Sequence, residues 1–345
     1  MNVTEQTETH TWPEILGTIT SGASLDRHQA GWAMERIMSG EAAPSQVGAF
    51  LAGLRLKGES VEELIGLVET MRAFAQKVEV DYPVVDTCGT GGDRSGSVNV
   101  STMAALIVAG AGGKVAKHGN RAASSSCGSA DVLEALGVRV DLGPEGVKRC
   151  LDEAGIGFCF ARVFHPSMRH AGPIRGELGV PTVFNFLGPL TNPAGARFQA
   201  LGVSDKAMAP KMLQVLKTLG SERVLVFRGF DGLDEISTTG PSNLWELENG
   251  ELRESVIDPL ELGIPRAAPS ALVGGNAEHN ARVVREVLDG RQGPDRDVAI
   301  VNAAAGIVAA GLSAGLAEGL ERARESVDSG AARKALERLT EVSTG

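Results

Sequence analysis

Two carboxylates stand side by side at Asp234-Glu235, just after an apolar run at 223–229. Such a pair at a strand end suits a hard divalent cation that keeps some waters and bridges to phosphate oxygens. It is equally readable as a solvated loop pair. A phosphate-binding stretch would favour the first reading, and the chain carries one between Val84 and Ser129. It begins with Asp86-Thr87-Cys88-Gly89-Thr90-Gly91-Gly92-Asp93, continues through Ser97 to Asn99-Val100-Ser101-Thr102, and then reaches Lys117-His118-Gly119-Asn120-Arg121. Ala122, Ala123 and the serines at Ser124, Ser125, Ser126 and Ser129 follow. Glycines let backbone N–H groups approach an anion closely, and a helix N-terminus adds positive potential. Lys117 and Arg121 add full charges. The set points to a phosphorylated substrate.

Each piece also has a plain structural reading. Gly89 to Asp93 could be only a tight strand–helix connection; it is neither a Walker loop nor the G-x-G-x-x-G dinucleotide fingerprint. Asn99, Ser101 and Thr102 are cap-type residues, although an uncapped N-terminus is itself an anion site. Asp93 could accept ribose hydroxyls or orient a metal-bound water. Further on, Arg169, His170 and Arg175 lie near a Gly172-Pro173 break. Arg175 suits a carboxylate partner, or else a surface ion pair with Glu177.

Composition narrows the class. The chain has 345 residues, 43% hydrophobic and 4% aromatic, with a net charge of −10. That balance argues against a general nucleic-acid binder. The four cysteines, Cys88, Cys127, Cys150 and Cys159, form no C-x-x-C pair, and they read as reduced, partly buried thiols. There is no Gly-x-Ser-x-Gly and no paired Cys/His nucleophile. The N-terminus lacks a basic-then-apolar signal, which predicts a cytoplasmic protein. The long run Val298 to Ala317 is Ala- and Gly-rich with Asn302 inside it. It reads as a buried helix, not a membrane span.

The elements that must position these groups follow from periodicity. Residues 12–74 are helical throughout: Val47, Phe50, Leu51 and Leu54 share one face, as do Leu64, Leu67, Val68 and Met71. Ser60 with Glu63 predicts a capping box, and Gly58 a helix stop. Beyond residue 83, strands near 84–88, 114–117, 138–140, 157–161, 198–203 and 223–229 alternate with helices near 100–111, 129–136, 144–154, 206–219, 278–289 and 297–311. This alternation predicts an α/β fold with a largely parallel central sheet flanked by helices. Asn249-Gly250 marks a β-hairpin within 244–257. The predicted organisation is a small α-helical domain over 1–80 and a large α/β domain over 81–345, with segments near 165–195 contributing to the small one.

The ordered set of motifs resembles the anthranilate phosphoribosyltransferase family. It comprises Asp86 to Asp93, Asn99 to Thr102, Lys117 to Arg121, His165-Pro166-Ser167-Met168-Arg169, Gly172 to Arg175, Phe184 to Pro193 and Asp234 to Ser237. The resemblance runs from about residue 12 through nearly the whole chain. It implies transfer of the 5-phosphoribosyl group from 5-phosphoribosyl 1-diphosphate to the amine of anthranilate, in L-tryptophan biosynthesis. It also implies Mg2+ and a homodimer formed through the helical domain.

Carried over by motif, Gly89, Gly92, Asp93, Ser97, Asn99, Val100, Ser101 and Thr102 correspond to sugar-diphosphate contacts. Lys117, His118, Gly119, Asn120, Arg121, Ala122, Ala123, Ser124, Ser125 and Ser129 continue that cradle. Gly89, His118, Asn120 and Arg175 correspond to anthranilate contacts. Ser101, Asp234 and Glu235 correspond to magnesium ligands. Lys117, Asp93 and Arg175 are the expected catalytic set. Arg94 stands where the family often has glycine, and Pro181 where it often has arginine.

The implied chemistry is a dissociative displacement with an oxocarbenium-like ribose, stabilised chiefly by electrostatics at the departing diphosphate. A pyrimidine nucleoside phosphorylase would share the architecture, but its expected Lys-His-Ser-Thr-Gly-Gly element is absent here. A catalytically silent, nucleic-acid-binding relative would be expected to lack Asp234-Glu235 and to carry a basic surface.

Overall fold

The computed structural model describes residues 10–122 and 126–345. The first four helices are α1 (Trp12–Thr20), α2 (Arg27–Ser39), α3 (Pro44–Lys57) and α4 (Val61–Ala73). Strand β1 (Val85–Gly89), α5 (Val100–Gly110), β2 (Val115–Gly119), α6 (Ser129–Ala135), α7 (Pro144–Ala154) and β3 (Ile156–Phe160) come next. Short helices α8 (Ala161–Phe164), α9 (Gly172–Leu178) and α10 (Phe184–Leu187) lead to β4 (Phe198–Gly202), α11 (Ala209–Thr218) and β5 (Arg223–Gly229). The chain ends with β6 (Ser242–Glu248), β7 (Glu251–Ile257), α12 (Ala277–Leu288), α13 (Pro294–Ala309), α14 (Leu316–Asp328) and α15 (Ala331–Thr344).

The chain divides into two compact units, Met1–Phe74 with Ser167–Leu187, and Ala75–Pro166 with Gly188–Gly345. The helical unit therefore stops short of residue 80 and takes back a segment from the middle of the chain.

Within the helical unit, α2 and α4 cross where both lack side chains. A Cβ on Gly66 would lie 2.1 Å from the Arg27 carbonyl oxygen, and one on Gly31 would lie 3.2 Å from Thr70 Oγ1. The expected capping box is present: Ser60 Oγ accepts from Glu63 N at 3.2 Å and Ser60 N donates to Glu63 Oε2 at 2.7 Å. The Glu63 carboxylate is fully buried, which requires compensation. Lys57 Nζ supplies it at 2.8 Å, and Leu25 N donates at 2.9 Å. Gly58 ends α3 at φ +84°.

The larger unit is built on a seven-stranded sheet of order β3-β2-β1-β4-β5-β6-β7. Neighbours from β3 to β5 are parallel, and β6 and β7 join antiparallel. The hairpin at Asn249-Gly250 forms as predicted, with both residues at positive φ. Helix α13 is buried along nearly its whole length. Its small residues let it press onto the sheet: a Cβ on Gly306 would meet Val108 at 2.7 Å and Thr87 at 3.1 Å. No helix among the described residues is long and apolar enough to cross a membrane.

One expected strand does not form. Val138 and Val140 are buried and Arg139 is exposed, a strand-like alternation. However, Val138 N closes the end of α6 on Leu133 O and Arg139 N donates to Ser343 Oγ at 3.1 Å. Those backbone donors are engaged by helices, so 138–140 runs as an extended connector.

Candidate active site

Strand order reverses between β1 and β4, because the chain leaves β1 toward β2 and β3 on one side and resumes with β4 and β5 on the other. Open α/β sheets place ligands outside the carboxyl ends of the strands at such a switch point. Gly89 to Asp93 leaves β1 there. The loop is tied to β4 by Thr90 N donating to Gly202 O at 2.9 Å and by Ser204 Oγ donating to Gly91 O at 2.8 Å.

The segment after β5 comes to the same place. Asp234 Oδ2 accepts from Gly91 N at 2.7 Å. The approach needs glycine on both strand ends. A Cβ on Gly89 would lie 2.5 Å from Asp234 Oδ2, and one on Gly202 would lie 1.6 Å from the Asp234 carbonyl oxygen. Asn302 of α13 anchors the next residue but one, its Oδ1 accepting from Ile236 N at 2.8 Å and its Nδ2 donating to Ile236 O at 3.0 Å.

Lys117 lies in the middle of β2, only 2% exposed. Its ammonium donates to Thr87 O at 2.6 Å and to Ser101 Oγ at 3.2 Å. Burial lowers its pKa, while Asp86, Cys88 and Glu235 pull it back up. The carboxylates around it are strained in the opposite sense. Burial, reinforced by Asp93, pushes Asp234 up to about 7, and the Gly91 amide opposes the shift. Burial and then Asp234 hold Glu235 well above the usual carboxylate range, against Lys117 and the Ser101 amide.

No group of three ligand-type side chains is preassembled for a metal among the described residues. The donor set nevertheless fits a hard cation that retains waters. Asp93, Asp234 and Glu235 are mutually repelling oxygen donors, and the Asp93 Oδ2 atom is buried with no hydrogen-bond partner. A divalent ion would relieve both conditions.

The N-terminus of α5 opens at this place. Asn99 occupies the cap position but makes no side-chain capping bond. Val100 is core, and Thr102 Oγ1 is buried without a partner. Ser97 pairs with Val273 in a single β-bridge at the loop's far end. Arg94 adopts φ +59°, a region that costs a non-glycine residue about 1 kcal/mol. Glycine at this position would be free of that cost.

The sequence grouped several residues that turn out to have different tasks. Arg121 is engaged by Asp131 at 2.8 Å and by Glu134 at 2.5 Å, and its guanidinium lies over Phe160. Its charge is already matched within the protein. Gly119 is a packing glycine, since a Cβ there would meet Ser129 Oγ at 2.2 Å. Ser129 Oγ donates to Asn120 O at 3.2 Å, and Ala122 N donates to Asp131 Oδ2 at 3.0 Å. Ala123, Ser124 and Ser125 lie outside the described residues.

His118 is buried, with Nδ1 donating to Gly188 O at 3.0 Å and Nε2 unpartnered. Its ring centroid lies 5.1 Å from that of His165, whose Nε2 is also unpartnered. Burial first, then the facing His165, lowers His118 to about 3; burial lowers His165 to about 4. Both rings are neutral near pH 7.

Beneath them lies Asp86, fully buried. Its carboxylate accepts from His118 N at 3.1 Å and from Asn192 Nδ2 at 2.7 Å. Asp86 and Asn192 belong to the motifs read from the sequence but were given no role there. Asn280 and Asn302 were missed as parts of the site's frame. The signal for Asp86 and Asn302 was a lone polar residue inside an apolar run.

Arg175 belongs to α9 of the helical unit. It forms no ion pair among the described residues; its guanidinium stacks over Phe184 at 5.2 Å and burial lowers its pKa. The expected alternative, pairing with Glu177, does not occur.

A helical unit joined to an α/β unit, with glycine loop, buried lysine and paired carboxylates at the sheet switch, defines a glycosyltransferase of the phosphoribosyl-transfer type. The family models agree: residues 13–75 match the glycosyl transferase family helical bundle domain, and 81–333 its a/b domain. An anthranilate phosphoribosyltransferase from Arthrobacter sp. (strain FB24) is 55% identical over 342 residues, covering 97% of each chain. The solved anthranilate phosphoribosyltransferase of Thermus thermophilus superposes with a TM-score of 0.91 at 44% identity, covering 96% of this chain and 99% of that one. The Saccharomyces cerevisiae enzyme in complex with PRPP and Mg superposes with a TM-score of 0.89 at 28% identity, covering 96% and 98%. Its complex with 4-fluoroanthranilate gives 0.86 at 26%, covering 97% and 99%. The chain belongs to the anthranilate phosphoribosyltransferase family.

Proposed function

We propose that this chain transfers the 5-phosphoribosyl group from 5-phosphoribosyl 1-diphosphate to the amine of anthranilate, giving N-(5-phosphoribosyl)anthranilate and pyrophosphate in L-tryptophan synthesis. The observation that carries this reading is the convergence of an uncapped helix N-terminus, buried Lys117 and three repelling carboxylates on one strand-end loop. That arrangement suits a diphosphate with its counter-cation far better than a neutral ligand. The PRPP, Mg and 4-fluoroanthranilate found on the Saccharomyces cerevisiae enzyme support the same assignment.

In this reading the Gly92 amide and the hydroxyls at the start of α5 hold the diphosphate, since Gly202 O and Asp234 already take the Thr90 and Gly91 amides. Ser97, Asn99, Ser101 and Thr102 line it, with Lys117 meeting the negative charge that grows on the leaving group. Mg2+ would be held by Asp234, Glu235 and Ser101, with Asp93 beside them, and supplies Lewis-acid neutralisation of the diphosphate oxygens. Arg175 takes the anthranilate carboxylate, and His118 and Asn120 border the ring. His118 and His165, neutral near pH 7, add no positive charge beside the aromatic amine, which is itself uncharged there. We assign Arg121 a structural role, because Asp131 and Glu134 already balance it. The protein works in the cytoplasm as a homodimer through its helical unit.

Loss of anthranilate fluorescence on mixing with sugar diphosphate and magnesium tests the reading. A magnesium-dependent decay supports it. Uridine cleavage by inorganic phosphate without any anthranilate consumption would replace it with a nucleoside phosphorylase.

A further inference from the structure

Asn99 has the side chain that usually caps a helix, yet its amide faces away from α5. Its Nδ2 donates to Cys127 O at 3.2 Å. Its Oδ1 accepts from Asn280 Nδ2 at 2.8 Å. Asn280 lies in α12, is only 2% exposed, and comes from a segment distant in sequence. It is fixed in turn by Gly275 N, which donates to its Oδ1 at 2.8 Å.

The segment that carries this bond is itself joined to the diphosphate loop. Val98 N donates to Leu272 O at 3.0 Å, and Gly274 N donates to Gly96 O at 2.8 Å. Gly274 passes too close for any side chain, since a Cβ would lie 2.9 Å from Ser97 O and 3.0 Å from Asn280 Oδ1. The loop is thus anchored near its start by β4 and Asp234 and at its end by the 272–280 segment.

We propose that Asn280 is a positioning residue for the anion site. By fixing the Asn99 amide between α12 and Cys127 O, it holds the start of α5 and the end of the loop in the place where the diphosphate binds. The proposal rests on the reading that this helix end holds the diphosphate. Without the Asn280 donor, Asn99 Oδ1 loses a buried partner. The helix start that Asn99 carries is then free to shift away from the diphosphate.

Two variants separate this role from a general structural one. Asn280→Asp keeps the acceptor for Gly275 N and removes the donor to Asn99. Asn280→Ala removes both without adding charge. Sugar-diphosphate affinity is measured by titration calorimetry with magnesium present, alongside steady-state kinetics and thermal melting. Both variants are expected to raise Kd and KM for the sugar diphosphate about three- to thirtyfold, the range that loss of one buried hydrogen bond holding the site would produce. The KM for anthranilate and kcat stay near wild type. Asn99→Ala added to Asn280→Ala loses less than the sum of the two single losses, because Asn280 acts through Asn99.

A folded variant with wild-type sugar-diphosphate affinity overturns the proposal. So does an equal loss for both substrates. A wild-type protein that fails to bind the sugar diphosphate overturns the functional reading and this role with it; unchanged variants beside a binding wild type overturn this role alone.

Discussion

Replacing Gly89 by alanine isolates the geometry of Asp234. The new Cβ would sit 2.5 Å from Asp234 Oδ2 and 3.2 Å from its Cγ. Relief requires the carboxylate to retreat by roughly 0.9 Å to reach ordinary van der Waals distance. It cannot retreat as a whole residue, because its carbonyl oxygen is wedged against Gly202 and Asn302 holds Ile236 two residues on. The side chain must instead rotate and give up the bond from Gly91 N. A charged hydrogen bond contributes about 1.5–3 kcal/mol, and the same rotation relieves the overpacking, so the expected stability loss is about 2 kcal/mol. The larger effect is on catalysis, since misplacing a working group by 1 Å costs about a hundredfold. The assay is a thermal melt followed by kcat/KM across a magnesium titration. The variant should fold, require more magnesium and lose about two orders of magnitude in kcat/KM. A folded variant with wild-type kcat/KM and magnesium requirement would refute the placement of Asp234 in the working site.

Other outcomes follow from the same geometry. Lys117→Met removes the buried cation that faces Asp86 and Glu235, and kcat/KM should fall by about a hundredfold or more; steady-state kinetics at saturating magnesium checks this. Arg175→Ala should raise the KM for anthranilate about tenfold or more while leaving sugar-diphosphate affinity intact; the opposite pattern in titration calorimetry would withdraw its assignment. Stability should fall in acid through His118 and His165, whose folded pKa values of about 3 and about 4 lie below the ordinary 6.5. Their contribution is present above pH 6.5 and is lost as pH falls toward 3–4. Each costs about 2 kcal/mol between pH 7 and pH 5. Urea unfolding at those two pH values measures it, and His165→Gln should remove about half of the combined effect.

Much of the site could be read from the chain because its groups are local. Gly89 to Asp93 follows an apolar run, Lys117 ends another, and Asp234-Glu235 ends a third; strand ends in a parallel sheet converge without further information. The Ala- and Gly-rich helix and the Ser60–Glu63 cap were legible for the same reason. What stayed hidden depends on partners far along the chain. Val138-Arg139-Val140 has a strand's alternation, but Leu133 and Ser343 take its backbone donors. Arg121 advertises a charge that Asp131 and Glu134 have already matched. Asn280 and Asn302 are single polar residues on helices, and their importance comes only from the buried bonds they make to Asn99 and Ile236.

In this reading the loop from Gly89 to Thr102 holds the leaving diphosphate. A crystal structure with 5-phosphoribosyl 1-diphosphate and magnesium tests it most directly. Diphosphate oxygens are expected within hydrogen-bonding distance of the Gly92 amide and the Ser101 and Thr102 hydroxyls, with the metal at Asp234-Glu235. A diphosphate bound elsewhere, with the α5 N-terminus left to solvent, would contradict it.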